Sequence, residues 1–218
     1  MEKANKFVAI PAINCSTKEC AEVRLRAAHA LGARWVHIDV TDGVFSTGVT
    51  WNDAETFAHT GMNVEVHFMV KNPERVIERW LTAGVKRVIV HVESLMSRNE
   101  DAFFEMYRLC DAHGAMLMLS MGPDTSVEEF FPYLETVKGF QFLAVAPGFS
   151  GQLFDERTIE KIKTLRNKMP DAFIEVDGGV NADVASHVRL AGANAVSSAS
   201  FIWGSEDPAA ALASLQNA

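Results

Sequence analysis

Pro11-Ala12-Ile13-Asn14 is the stretch that separates two folds of similar composition. It closes the first strand-like run, at 7–11, and it carries no glycine. An open, doubly wound parallel sheet is expected to pass through a glycine-rich phosphate loop after its first strand, so the stretch speaks for a closed sheet. Outward from it, short β-branched runs alternate with longer amphipathic ones along the whole chain. The runs at 7–11, 34–40, 63–69, 86–92, 115–120, 139–145, 172–177 and 194–198 read as strands. Those at 17–31, 51–60, 73–83, 99–113, 126–136, 155–168, 181–191 and 206–216 read as helices. Ser16/Thr17, Asn72-Pro73 and Asn181 stand where helices start, and Gly32, Gly84, Gly114 and Gly192 where they stop. Eight strand-helix units without a Pro/Gly/Ser-rich linker predict one (β/α)8 TIM barrel, a single domain over 1–218.

The 218 residues hold 20 Lys+Arg against 28 Asp+Glu, a net charge of -8, and 48% are hydrophobic. That acidic balance argues against nucleic acid or an anionic membrane as a partner, though it leaves room for a local anion site. Met1 to Lys6 is short and polar, and no apolar run is long enough to cross a bilayer, so a cytoplasmic protein is expected. Cys15, Cys20 and Cys110 are odd in number and show no Cys-x-x-Cys spacing. They read as reduced thiols, outside any disulfide or zinc framework.

A barrel of this kind carries its chemistry at the C-terminal ends of its strands. His37-Ile38-Asp39-Val40-Thr41-Asp42-Gly43 puts His37 and Asp39 on one face of the second strand and Ile38 and Val40 on the other. A buried His and Asp must be paired or ligated, and a core hydrogen bond between them would serve as well as a site. The third strand repeats the alternation with Glu65, His67 and Met69, the fourth ends His91-Val92-Glu93, and the seventh ends Glu175-Val176-Asp177. Four polar strand ends in one barrel are hard to assign to structure alone, because the interior is normally filled with branched apolar side chains. His37, Asp39, His67 and Asp177 form a two-imidazole, two-carboxylate set that suits zinc, ferrous iron, manganese or cobalt better than calcium or magnesium. Glu65 and Glu175 would lie one layer deeper, as partners of those ligands or as a buried network. Asp42, beside Gly43, reads as turn chemistry.

The second and seventh strands face each other across the mouth, so Asp39 and Asp177 can flank one carbon. Such a pair, one base and one acid, is what inversion by proton removal and return requires. Pro147-Gly148-Phe149-Ser150-Gly151-Gln152, Gly178-Gly179 and Ala199-Ser200 follow the last three strands. Small residues there let backbone N–H groups approach a phosphate, and these loops are the usual phosphate site of a barrel. An aldolase or decarboxylase reading needs a lysine at a strand end. The Asp-x-Lys-x-x-Asp pattern of one related superfamily would require Lys and Asp where Thr41 and Val44 stand, and Lys86 and Lys138 fall at strand beginnings.

These segments together resemble the ribulose-phosphate 3-epimerase family. The likeness is carried by His37-Ile38-Asp39-Val40-Thr41-Asp42-Gly43-Val44-Phe45, Val66-His67-Phe68-Met69 with Asn72-Pro73-Glu74, Val145-Ala146-Pro147-Gly148-Phe149-Ser150-Gly151-Gln152 and Glu175-Val176-Asp177-Gly178-Gly179-Val180-Asn181. It implies one divalent metal held by His37, Asp39, His67 and Asp177, with Asp39 and Asp177 inverting C3 of a ketopentose 5-phosphate through a cis-enediolate. It also implies phosphate contacts around Gly148, Ser150, Gly151, Gly178, Gly179, Ala199 and Ser200, and a homo-oligomer. Departures from the family pattern cluster at the substrate wall. Ala12 replaces a serine, Thr41 and Leu143 replace methionines while Met69 stays, Gly122 replaces an asparagine, and Ala199 replaces a glycine. Retained chemistry on an altered wall leaves open a ketohexose 6-phosphate such as allulose 6-phosphate, or a sugar-phosphate binder without catalysis.

Overall fold

The computed structural model describes residues 7–96 and 100–218. Eight parallel strands, β1 (Val8–Ile13), β2 (Trp35–Thr41), β3 (Asn63–Met69), β4 (Arg87–His91), β5 (Met116–Met121), β6 (Gly139–Leu143), β7 (Phe173–Asp177) and β8 (Ala195–Ser198), close in chain order into one barrel. The single-domain (β/α)8 barrel expected from the strand pattern is therefore what the chain forms. Outward-facing Val36, Ile38, Val40, Val66 and Phe68 join Trp80, Phe130, Phe140 and Phe142 in the main core between sheet and outer layer. Inside the barrel the exchange of apolar for polar is unusual: His37, Glu65, His67, Gln141 and Glu175 are all fully buried.

The outer layer holds α1 (Lys18–Ala30), α2 (Ile77–Thr82), α3 (Glu100–Ala112), α4 (Arg157–Lys168), α5 (Ala182–Ala191), α6 (Ser200–Trp203) and α7 (Pro208–Asn217). Thr17, Asn181 and Asp207 cap α1, α5 and α7 through side-chain oxygens that accept from backbone N–H groups of the first turn. Position 99, in the run expected at 99–113, lies outside the described residues. Two expected helices form only 3-10 turns. Over 51–60 the turn spans Ala54–Phe57, because Asp53 and Thr56 hydrogen-bond locally and His59 adopts φ 56°. Over 126–136 the turn spans Val127–Tyr133 and contains Pro132, which cannot donate within an α-helix. The run at 73–83 splits into a turn, Pro73–Arg75, and α2. Four-residue α6 has no counterpart in the periodicity, and Trp203 Nε1 ties it to the carbonyl of Ala12, 2.6 Å away.

The cysteines need a correction. Cys15, just after β1, and Cys20, in the first turn of α1, form a disulfide across a Cα–Cα distance of 5.7 Å. The strand end doubles back onto the helix start, which brings together two residues that no spacing rule links. Cys110 alone remains a free thiol, and burial pushes it up to about 12.

Candidate active site

Strand alternation delivers four side chains to one point in the barrel mouth. Parallel register sets Asp39 beside His67, and β7 brings Asp177 from the other side. His37 Nε2 stands 3.3 Å from Asp39 Oδ1 and 3.7 Å from Asp177 Oδ2. His67 Nδ1 stands 3.3 Å from each of the same two oxygens. Among the described residues, His37 Nε2, Asp39 Oδ1 and His67 Nδ1 are buried without a hydrogen-bond partner. Unsatisfied buried polar atoms are costly, and three aimed at one point describe a cradle for a cation. Four ligands at ordinary zinc distances would stand about 3.4 Å apart in a tetrahedron, close to the four edges measured here. The four residues sequence reading assigned to a metal are thus brought together, and their donors fit the ion.

The two imidazoles are braced from behind. His37 Nδ1 lies 2.8 Å from Glu65 Oε1 and 3.4 Å from Glu175 Oε1. Arg87 Nη1 reaches Glu65 Oε2 at 2.8 Å, while its guanidinium sits between the rings of Trp35 and Phe173, 3.7 and 4.2 Å from their centroids. Burial pushes the Glu65 carboxyl up, but His37 and Arg87 outweigh it and hold it below its ordinary value. Glu175, raised by burial and by the charge of Glu65, accepts from Gln141, which accepts from Ser120. His67 Nε2 meets His91 Nε2 at 2.9 Å, and His91 Nδ1 meets Glu93 Oε2 at 3.0 Å. Glu93 also accepts from the Gly122 N–H and the Thr125 hydroxyl. Desolvation raises the Glu93 carboxyl, yet His91 and these donors hold it at about 2. Since Glu93 can only accept while ionised, His91 donates from Nδ1 and accepts from His67 at Nε2.

The acids are oriented as closely. Burial pushes Asp39 up, and His37 and His67 on either side hold it well below the usual carboxylate range. Its second oxygen, Oδ2, accepts from Asn14 at 3.1 Å. Asp177 Oδ1 accepts from Ser197 at 2.5 Å. Burial opposes charge on both imidazoles, but the carboxylates around them, Asp39, Glu175, Glu65 and Asp177 for His37 and Asp177 and Asp39 for His67, draw them toward the protonated form. Asn14 and Ser197 escaped sequence reading, although each sits on the inward face that the alternation of its strand marks out.

Above the cage lies a cavity whose walls include every residue expected to meet phosphate: Gly148, Ser150, Gly151, Gly178, Gly179, Ala199 and Ser200. Gly148 and Gly179 are required as glycines. Their φ angles are 126° and 69°, and a Cβ would strike the Thr47 carbonyl oxygen, 2.7 Å away, or the backbone of Phe154. Ala12, Met69 and Leu143 line the cavity, and Met69, Leu143 and Val145 form an apolar patch closed by Phe45. Thr41 does not line it. Although buried, it opens on the neighbouring cavity with Thr47 and Thr50, and its backbone N–H is held by the Thr50 hydroxyl. Asp42 is a turn residue, accepting from the N–H groups of Val44, Phe45 and Lys71.

The sequence profile of the ribulose-phosphate 3 epimerase family matches residues 10–203. The chain belongs to this family. It is a family of carbohydrate isomerases. The ribulose-phosphate 3-epimerase cytoplasmic isoform of Oryza sativa is 34% identical over 192 residues, covering 85% of this chain and 82% of the relative. The ribulose-phosphate 3-epimerase of Chlamydia pneumoniae is 32% identical over 215 residues, covering 93% and 90%. That of Mycobacterium bovis is 34% identical, covering 87% and 84%. Among solved structures, 3-hexulose-6-phosphate synthase from Salmonella typhimurium superposes with a TM-score of 0.71 at 16% identity, over 96% of this chain and 97% of the other, a likeness of fold. Among the described residues no helix is long and apolar enough to cross a membrane.

Proposed function

We propose that this protein is a metal-dependent ketose-phosphate 3-epimerase that interconverts D-ribulose 5-phosphate and D-xylulose 5-phosphate, as a cytoplasmic homo-oligomer of the pentose phosphate pathway. One observation carries the reading. Two carboxylates from β2 and β7 flank one cavity and share a cage in which, among the described residues, His37 Nε2, Asp39 Oδ1 and His67 Nδ1 have no hydrogen-bond partner. Asp39 takes the C3 proton from one face and Asp177 returns a proton to the other, which inverts the carbon. A divalent metal held by His37, Asp39, His67 and Asp177 supplies Lewis-acid stabilisation of the charge that develops on the ketone oxygen. Backbone N–H groups around Gly148, Ser150, Gly151, Gly178, Gly179, Ala199 and Ser200 receive the phosphate. The patch of Met69, Leu143 and Val145 keeps water from the enediolate.

Incubation with ribulose 5-phosphate in heavy water is expected to give xylulose 5-phosphate labelled at C3. Asp39→Asn and Asp177→Asn should each lower that exchange by about 10^3-fold. Metal-loaded protein that gives neither label nor product removes this sugar. Ala12 and Leu143 in the cavity wall favour allulose 6-phosphate as the second substrate to try. Tight binding without exchange for every ketose phosphate would replace the reading with a non-catalytic binder.

A further inference from the structure

Asn14 has no place in the chemistry described so far, yet it touches both halves of the site. It follows β1 on the face that carries Ala12, and its Nδ2 donates to Asp39 Oδ2 at 3.1 Å and to the Gly148 carbonyl at 3.0 Å. Both partners can only accept from it, so the amide nitrogen, not the oxygen, must face them. The Asp39 carboxylate is thereby fixed in rotation, with Oδ1 turned into the cage and Oδ2 on Asn14. Gly148 belongs to the loop after β6, where it packs against Thr47 in a conformation only glycine holds easily. One amide therefore joins the reacting carboxylate to the loop that would grip the phosphate. Among the described residues the Asp177 carboxylate has no such amide: its Oδ1 accepts from the hydroxyl of Ser197, on β8.

We infer that Asn14 is a positioning residue that couples anion binding at the β6 loop to the orientation of the Asp39 carboxylate. The inference rests on the epimerase reading for its consequence in catalysis, and on the hydrogen bonds alone for the coupling. A shift of the Gly148 carbonyl as the loop closes on an anion is passed through Nδ2 to Asp39. Remote binding energy then appears in turnover and not in substrate affinity.

Asn14→Leu keeps the size and removes both donors. With ribulose 5-phosphate it should lower kcat on the order of 10- to 100-fold and leave KM within about 2-fold. Phosphite is expected to activate turnover of unphosphorylated ribulose by the wild type, and Asn14→Leu should abolish that activation. Asn14→Ser, which can donate to only one of the two acceptors, should recover part of kcat without recovering phosphite activation. A rise in KM at unchanged kcat, or equal losses with and without phosphite, would overturn the inference. Independently of turnover, the side-chain amide resonance that Asn14→Leu deletes should shift when inorganic phosphate is added to 15N-labelled, metal-loaded protein. If phosphate binds and that resonance stays still, the coupling is absent whatever the enzyme epimerises. If it moves while no ketose phosphate exchanges, the coupling stands and the epimerase reading fails.

Discussion

His37 and His67 point at the same two carboxylates but present opposite ring nitrogens, Nε2 and Nδ1. Behind His37 lies a charged floor of Glu65, Glu175 and Arg87, with the Arg87 guanidinium packed between two aromatic rings. Behind His67 lies a relay of neutral His91 and ionised Glu93 that runs towards the surface, with the Glu93 side chain 24% exposed. Burial lowers His91, and with His67 it outweighs the pull of Glu93 the other way. The difference teaches that one requirement, a ring held in a fixed tautomer, is met by two kinds of support. On the floor the support also carries fold stability, since ions there have no water to fall back on. On the relay the support is mainly orientation.

Four experiments press on that contrast, taken from the largest expected effect to the smallest. Arg87→Met strands Glu65 and Glu175 as buried acids and should cost about 3–5 kcal/mol in denaturant unfolding, as loss of one partner of a buried pair does. A cost below about 1 kcal/mol would show the floor to be no different from the relay. Glu65→Gln should weaken metal binding by about 10- to 100-fold in chelator competition, because His37 loses its anionic partner. Glu93→Gln acts one ring further from the metal and should weaken it by less than about 10-fold on the same scale. Equal losses would mean that distance from the ion does not matter.

Acid gives the smallest effect. The folded Glu93 carboxyl, at about 2, lies below its unfolded value of 4.5. A depressed acid adds stability that is complete above pH 4.5 and is lost as pH falls through about 2. The stability difference between wild type and Glu93→Gln should hold steady from pH 5 to 8 and shrink below pH 4.5. A flat difference down to pH 3 would mean that the relay does not depend on that charge.

Much of the barrel was legible because a parallel strand repeats every second residue, and His37, Asp39, His67 and Asp177 stood out as polar groups on faces that should be apolar. The 3-10 turns were not legible, since Asp53, Thr56 and Pro132 undo helices locally in ways that a hydrophobic pattern ignores. The Cys15–Cys20 bridge depends on a strand end meeting a helix start, which periodicity does not encode. Thr41 obeyed the alternation of β2 yet opened on the adjoining cavity, because the loop after β2 returns over it through Thr50. His91 and Glu93 were visible as a polar strand end, but their link to His67 needed the distance between two ring nitrogens. Asn14 and Ser197 are common residues at strand ends, and only their partners give them meaning.

The position of Arg87 reaches beyond stability. With its guanidinium wedged between Trp35 and Phe173 and the glutamates above it fully buried, the lower end of the barrel is stoppered. Under the proposed function, an ion for the cage and a sugar for the cavity above it would share one doorway. Loading would then have an order, ion before sugar.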